Sequence, residues 1–220
     1  MTTLTRIGLL GDIHAEDASL ALALRVFGDA GVDGIVSVGD IVDGQGDIDR
    51  CCALLAEASA LAVRGNHERW YLAGTMRDLP HAHTALGQDA HRFIASLPPT
   101  IRMAAGAAGD ILVCHGLLDD DMASIDPDAD TLALFRDPSM AALLEEDCPL
   151  LVLNGHTHHR ALWTDGRLTV VNAGTLFRYH RPCFAIVDLV RGEVTYHDIH
   201  AGERVERTET RALPVRWRRG

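Results

Sequence analysis

Lysine is absent from this 220-residue chain; all twenty basic residues are arginine. The absence excludes a Walker-type phosphate loop, Schiff-base chemistry and a lysine general base. Any phosphate handled here must meet metals, arginine, histidine or backbone amides. No apolar run approaches the ~20 residues needed to span a bilayer, so no membrane partner is expected. Nor is there a CxxC pair among the five cysteines, Cys51, Cys52, Cys114, Cys148 and Cys183. They read as buried free thiols in a reducing compartment. Positive charge is in deficit: the formal net charge is −11, which argues against broad nucleic-acid binding through phosphate neutralisation. Met1–Arg6 carries neither a basic n-region nor a small-residue cleavage site, so a signal peptide is not indicated and a cytoplasmic location is the expectation.

The length fits one domain with a substantial core. Strand and helix patterns alternate in the first third. Thr5–Leu10, Gly34–Val38 and Leu61–Val63 read as strands; Asp17–Ala30 and Asp47–Ala58, the latter capped by Asp47, read as helices. Such βαβ repetition implies a parallel sheet buried on both faces. Residues 68–97 read as a helical, cap-like insertion broken at Pro80 and stopped by Pro98-Pro99. Ile101–Met103 and Asp110–Cys114 form the next strand pair. Thr131–Glu146 reads as a helix and Leu150–Asn154 as a buried strand. Beyond His158, short strands separated by turn residues suggest antiparallel hairpins. The reading is a single α/β domain over residues 1–202, with two sheets packed between helices. Residues 203–220 form a tail expected to be a solvated edge or poorly ordered.

Five short segments carry the chemistry: Gly11-Asp12-Ile13-His14, Gly39-Asp40-Ile41-Val42-Asp43, Gly65-Asn66-His67-Glu68, Cys114-His115-Gly116 and Gly155-His156-Thr157-His158. Each follows an apolar strand-like run, and in an open α/β sheet such loops converge at the carboxyl ends of the strands. Asp12 and His14 are two residues apart, as are His156 and His158, so in extended backbone each pair would face one site. The donors are mixed oxygen and nitrogen without thiolate. That set suits two divalent cations, Mn²⁺ first, with Fe or Zn²⁺ as alternatives. Two cations ~3.5–4 Å apart need a bridging anionic oxygen, which Asp40 can supply, and a water or hydroxide bridging them would serve as nucleophile. His67 beside Asn66 is placed to donate a proton to a leaving group, with Asp43 or Glu68 as its orienting carboxylate.

These five blocks, in this order, resemble the calcineurin-like metallophosphoesterase family, over roughly two thirds of the chain. The resemblance implies a four-layer α/β/β/α sandwich of two mixed sheets flanked by helices. It also implies one metal held by Asp12, His14, Asp40 and His158, and a second by Asp40, Asn66, His115 and His156. His67 then matches the leaving-group histidine and Asp43 its partner. Asn172-Ala173-Gly174-Thr175 looks like a turn found near the site in compact bacterial members, with alanine where those have proline; Asn172 and the nearby Arg178 are candidate substrate contacts. The implied activity is hydrolysis of phosphoric mono- or diesters, acting on a small phosphorylated substrate.

Arg64–Glu68 is also similar to the version in serine/threonine protein phosphatases and diadenosine tetraphosphatases, but Gly44-Gln45 stand where those enzymes carry Arg-Gly. A metal-binding interaction module without turnover is the alternative from another class. Trp70 and Tyr71 read as pocket or helix-interface residues. Tyr179 and His180 are further candidates for the site. His81, His83 and His91 read as surface residues, although the 68–97 insertion is the natural place for a cap, and His159 points away from His158 in extended backbone and is not read as a ligand. The acidic stretch Asp119–Asp130 lacks EF-hand spacing and reads as a solvated loop.

Overall fold

The computed structural model describes residues 4–75, 79, 81–104, 110–125, 138–144, 151–200 and 204–214. Sixteen elements lie within them: β1 (Arg6–Leu10), α1 (Asp17–Ala30), β2 (Gly34–Ser37), α2 (Ile48–Glu57), β3 (Leu61–Ala62), α3 (Asn66–Leu72), α4 (Gln88–Ser96), β4 (Thr100–Ala104), β5 (Asp110–Cys114), α5 (Pro138–Leu143), β6 (Leu151–Asn154), β7 (Arg160–Thr164), β8 (Thr169–Ala173), β9 (Cys183–Asp188), β10 (Glu193–His200) and β11 (Arg204–Ala212). One sheet has the order β11-β10-β9-β1-β2-β3 and the other β4-β5-β6-β8-β7. β1, β2 and β3 run parallel, as do β5, β6 and β8; β9 joins β1 antiparallel. Both sheets are therefore mixed.

Alternating side chains of each central strand divide the core into layers, because successive residues point to opposite faces. Ile7, Leu9, Val36, Ala185 and Val187 from the first sheet meet Ile111, Val113, Leu151, Leu153 and Val171 from the second, forming the middle of the molecule. On the first sheet's outer face, Leu10, Phe184 and Ile186 pack with Leu20, Ala23 and Phe27 of α1, with Leu55 of α2 and with Ile94 of α4. Leu112, Val152 and Val170 cover the second sheet's outer face together with Met140 and Leu143 of α5. Burial of strands on both faces explains why they read as continuous apolar runs. The four-layer expectation holds.

One expectation changes, and of the two open for the tail the edge is what the described residues form. The insertion is two helices, α3 and α4, and the described residues between them form no helix. Tertiary bonds fix that stretch instead. Gly44 N–H donates to the His81 carbonyl (3.2 Å), and Gly87 N–H to Asp49 Oδ1 (2.9 Å). In the tail, Arg204–Ala212 pairs along its length with β10 and forms the outer strand of the six-stranded sheet. Most of the expected helix over 131–146 lies outside the described residues, as do Pro80, the turn at 105–109, Cys148 and the acidic positions 126–130; Pro138–Leu143 is helical. The thiols of Cys51, Cys52, Cys114 and Cys183 are buried and free.

Candidate metal centre

The carboxyl ends of β1, β2 and β3 lie beside those of β5 and β6, and all five sequence blocks meet there. Asp12, His14, Asp40 and His158 each present one ligand atom within 4.8 Å of the others, and Asp40, His115 and His156 do the same. Asp40 belongs to both sets. The Asn66 carboxamide completes the second: its Oδ1 lies 2.9 Å from His115 Nε2 and 3.1 Å from His156 Nδ1.

Backbone carbonyls aim the rings. His14 Nδ1–H donates to the Asp43 carbonyl (2.9 Å) and His115 Nδ1–H to that of Val38 (2.7 Å). In the neutral His14 ring Nε2 is then the unprotonated nitrogen, and in both rings Nε2 faces the centre. His14 Nε2 lies 3.0 Å from His158 Nε2, and His115 Nε2 lies 3.2 Å from Asp40 Oδ2. Asp12 Oδ2 is buried without a hydrogen-bond partner. Converging lone pairs and an orphaned carboxylate oxygen are stabilised by cations, so the donors present fit the implied group.

The charges agree. Burial, reinforced by neighbouring histidines, pushes His158 down to about 3 and also lowers His14 and His156, keeping these rings in the neutral form that binds metal. Burial opposes ionisation of Asp40, yet His115, His67 and His14 hold its carboxyl well below the usual range. Burial also works against a charged His115, but Asp40 and Asp12 push it up to about 10. The carboxylates thus demand positive charge at this point.

Residues two apart do face one site, but not through extended backbone. His14, Asp40, Asp43, His156 and His158 have φ of 47°, 49°, 66°, 69° and 60°. The left-handed conformation is uncommon for residues with a Cβ, and here it recurs on three site loops. Close approach sets the glycines: a Cβ on Gly11 would overlap the Gly174 carbonyl, and one on Gly65 would overlap the Asp40 carboxylate.

His67 and its carboxylate stand beside the donors. His67 Nδ1–H donates to Asp43 Oδ2 (2.8 Å), while Nε2 lies 3.8 Å from Asp40 Oδ2. Burial lowers the His67 pKa, but the Asp43 bond and nearby carboxylates raise it above its ordinary value. Between the two carboxylates open in the sequence, the geometry selects Asp43. Glu68 has another job: its oxygens accept from the N–H groups of Asp40 (2.8 Å), Ile41 (2.7 Å), Val42 (2.9 Å) and Gly65 (2.7 Å). One buried carboxylate therefore ties the loop after β2 to the start of α3. Sequence reasoning missed this role, although its mark was present as a Glu three residues into a helix that starts at a glycine.

His83, expected at the surface, is a partner of Asp43. Its ring Nδ1 accepts from Asp43 N–H (3.0 Å), and its own N–H donates to Asp43 Oδ1 (2.7 Å). His180 Nδ1 lies 3.2 Å from His158 Nδ1, and Phe177 packs on the His14 ring at 5.1 Å. Trp70 packs on His67 at 5.0 Å, Tyr71 reaches His91 (3.1 Å), and His159 is exposed.

The two candidate substrate contacts are engaged elsewhere. The Asn172 amide donates to the Gly155 carbonyl (2.6 Å) and its oxygen accepts from Gly174 N–H (2.9 Å), holding the loop that carries His156 and His158. The Arg178 guanidinium donates to both oxygens of the buried Glu16 carboxylate (2.7 and 2.9 Å).

The model of the calcineurin-like phosphoesterase superfamily domain matches residues 5–192. The chain belongs to that family. Its donor clusters suit divalent metals whose identity the side chains do not fix. A metallophosphoesterase from Sphaerobacter thermophilus shares the fold with a TM-score of 0.66 and 22% identity, over 90% of this chain and 88% of that one. A hypothetical protein from Pyrococcus horikoshii superposes with a TM-score of 0.69 at 17% identity, over 89% of this chain and 88% of that one. Serine/threonine-protein phosphatase 1 of Salmonella typhimurium is 43% identical over 67 residues, 30% of this chain and 31% of that enzyme. The match spans about a third of that relative's length. Among the described residues no helix is long and apolar enough to cross a membrane.

Proposed function

We propose that this metallophosphoesterase hydrolyses phosphoric mono- or diesters with two divalent cations and a water nucleophile. Asp12, His14, Asp40 and His158 would hold one cation, and Asp40, Asn66, His115 and His156 the other, with manganese first and iron or zinc next on donor type. When bound, such a pair supplies Lewis-acid stabilisation of the phosphoryl oxygens and an activated water. The observation that carries this reading is the membership of Asp40 in both donor sets.

The chain's own residues supply the rest. Asp43 orients the His67 ring, raises its pKa above the ordinary value and turns Nε2 toward the donor cluster. His67 would pass a proton to the leaving-group oxygen. His83 holds Asp43 from the far side.

Metal stoichiometry combined with a substrate panel tests the proposal. Two equivalents of Mn²⁺ per chain and turnover of aryl phosphates or phosphodiesters are expected. Bound metal without turnover on any ester would favour an interaction module. The partial identity to serine/threonine-protein phosphatase 1 supports a second reading, dephosphorylation of phosphopeptides. Preference for phosphopeptides over small esters would select it.

A further inference from the structure

Beside the donor cluster opens a cleft of about 530 Å³ lined by His14, Asp43, His67, Leu79, His81, His158, Phe177 and Tyr179. Building on the hydrolase reading, we propose that this cleft seats the leaving group of the substrate, and that this group is a flat neutral ring: an aryl or a nucleobase-like heteroaryl attached directly or through a short arm.

Three observations carry the assignment. The first is position. The lining includes His67, the proton donor of the proposed reaction, and two ligands of the first set, but not Asn66, His115 or His156. The oxygen that receives the His67 proton therefore lies on the cleft side, and whatever is bonded to it extends into the cleft. A volume of this size is within the ordinary range for small-molecule sites.

The second is the wall. Phe177 packs on His14 at 5.1 Å and on His158 at 5.9 Å, and Tyr179 meets Phe177 edge-on at 5.3 Å. Tyr179 and Leu79 are 61% and 39% exposed, and they are two of only five large hydrophobic side chains exposed among the described residues. Leu79 and Tyr179 share the concave lining with His67, which is where a ligand surface is expected. An aromatic wall with a leucine on the same cleft suits a ring better than a sugar or an extended polar chain.

The third is charge. The described residues lining the cleft include no arginine, and the chain has no lysine. Arg178, the arginine next to Tyr179, has its guanidinium on Glu16. Asp43 adds a carboxylate to the lining. Among the described lining residues a second phosphate would meet no arginine, and the Asp43 carboxylate would oppose it, which makes a neutral ring the better fit.

The test uses the full manganese-loaded chain and three non-hydrolysable probes of equal head group: benzylphosphonate, cyclohexylmethylphosphonate and methylphosphonate. Titration calorimetry and competitive inhibition give their affinities. Benzylphosphonate is expected to bind about tenfold more tightly than methylphosphonate and about threefold more tightly than the cyclohexylmethyl analogue. Tyr179→Ala and Leu79→Ala should each remove about threefold or more of the benzyl advantage, while methylphosphonate affinity shifts less than about twofold. Equal binding of benzyl and methyl probes, an advantage untouched by both substitutions, or tighter binding of methylenediphosphonate than of benzylphosphonate would overturn the ring assignment. If methylphosphonate and inorganic phosphate do bind, those outcomes sink the ring assignment alone. If neither binds, the hydrolase reading fails and takes the assignment with it.

Discussion

On one side of His67 stand seven donors, five of them buried and two half-buried, on loops whose backbones are fixed by hydrogen bonds to neighbouring loops. On the other side Leu79 and Tyr179 stand open to solvent in a cleft built from the connection between α3 and α4 and from the loop after β8. The first region holds charge that must not move: Asp12, Asp40 and Glu68 are buried carboxylates, and each needs fixed partners to exist there at all. The second presents the exposed apolar side chains of Leu79 and Tyr179, while Phe177 between them and the donors packs on His14 and His158. On the proposed reading, reaction type and substrate choice reside in different parts of one site.

The largest effect should come from the shared donor. Asp40→Asn is expected to lower activity at least about a thousandfold and to abolish binding of both cations in calorimetry. Retention of one full equivalent of tightly bound metal would show that the two donor sets are independent. His67→Ala should slow alkyl phosphates about a hundredfold or more but 4-nitrophenyl phosphate less than about tenfold, because only the poor leaving group needs the proton. Equal losses on both would remove His67 from that role.

Glu68→Ala probes rigidity rather than chemistry. It leaves four backbone N–H groups without their acceptor, and a stability loss of about 3–5 kcal/mol in urea unfolding is expected. An unchanged midpoint would mean that water replaces the carboxylate without cost. His83→Ala bridges the two regions, since His83 belongs to the cleft segment and holds Asp43. We expect a loss of about tenfold on alkyl phosphates, a smaller loss on aryl phosphates, and partial recovery in His83→Asn, whose amide oxygen can accept from Asp43 N–H. Loss without that leaving-group dependence would make the contact purely structural. The smallest change is Arg178→Ala. With the guanidinium on Glu16 and its side chain 47% exposed, stability should fall by about 1 kcal/mol and KM should move less than about twofold. A tenfold rise in KM would return Arg178 to the substrate.

Much of the donor cluster was legible because each ligand sits within two residues of a glycine or another ligand at the end of an apolar run. Short motifs on parallel strands carry their own geometry. Even so, the reasoning from extended backbone was wrong in detail: His14, His156 and His158 reach the centre from left-handed conformations, which a two-residue spacing does not reveal. Contacts distant in sequence were illegible. His83 lies 40 residues from Asp43, and Arg178 lies 162 residues from Glu16. Neither pair has a spacing that could have announced it.

The order of the five blocks, with the apolar runs before them, determined by themselves that this chain would gather oxygen and nitrogen donors at strand ends, since strand direction and loop position follow from local pattern. Packing of the two sheets through Ile7, Leu9, Val113 and Leu153 decided that both sets of loops would share one centre, because only that interface brings β1 and β5 together. The choice of Asp43 over Glu68, the engagement of Arg178 and the apolar cleft beside His67 were decided there as well. Each depends on which side chains are left over once the layers have closed, and that is a property of three-dimensional contact rather than of sequence spacing.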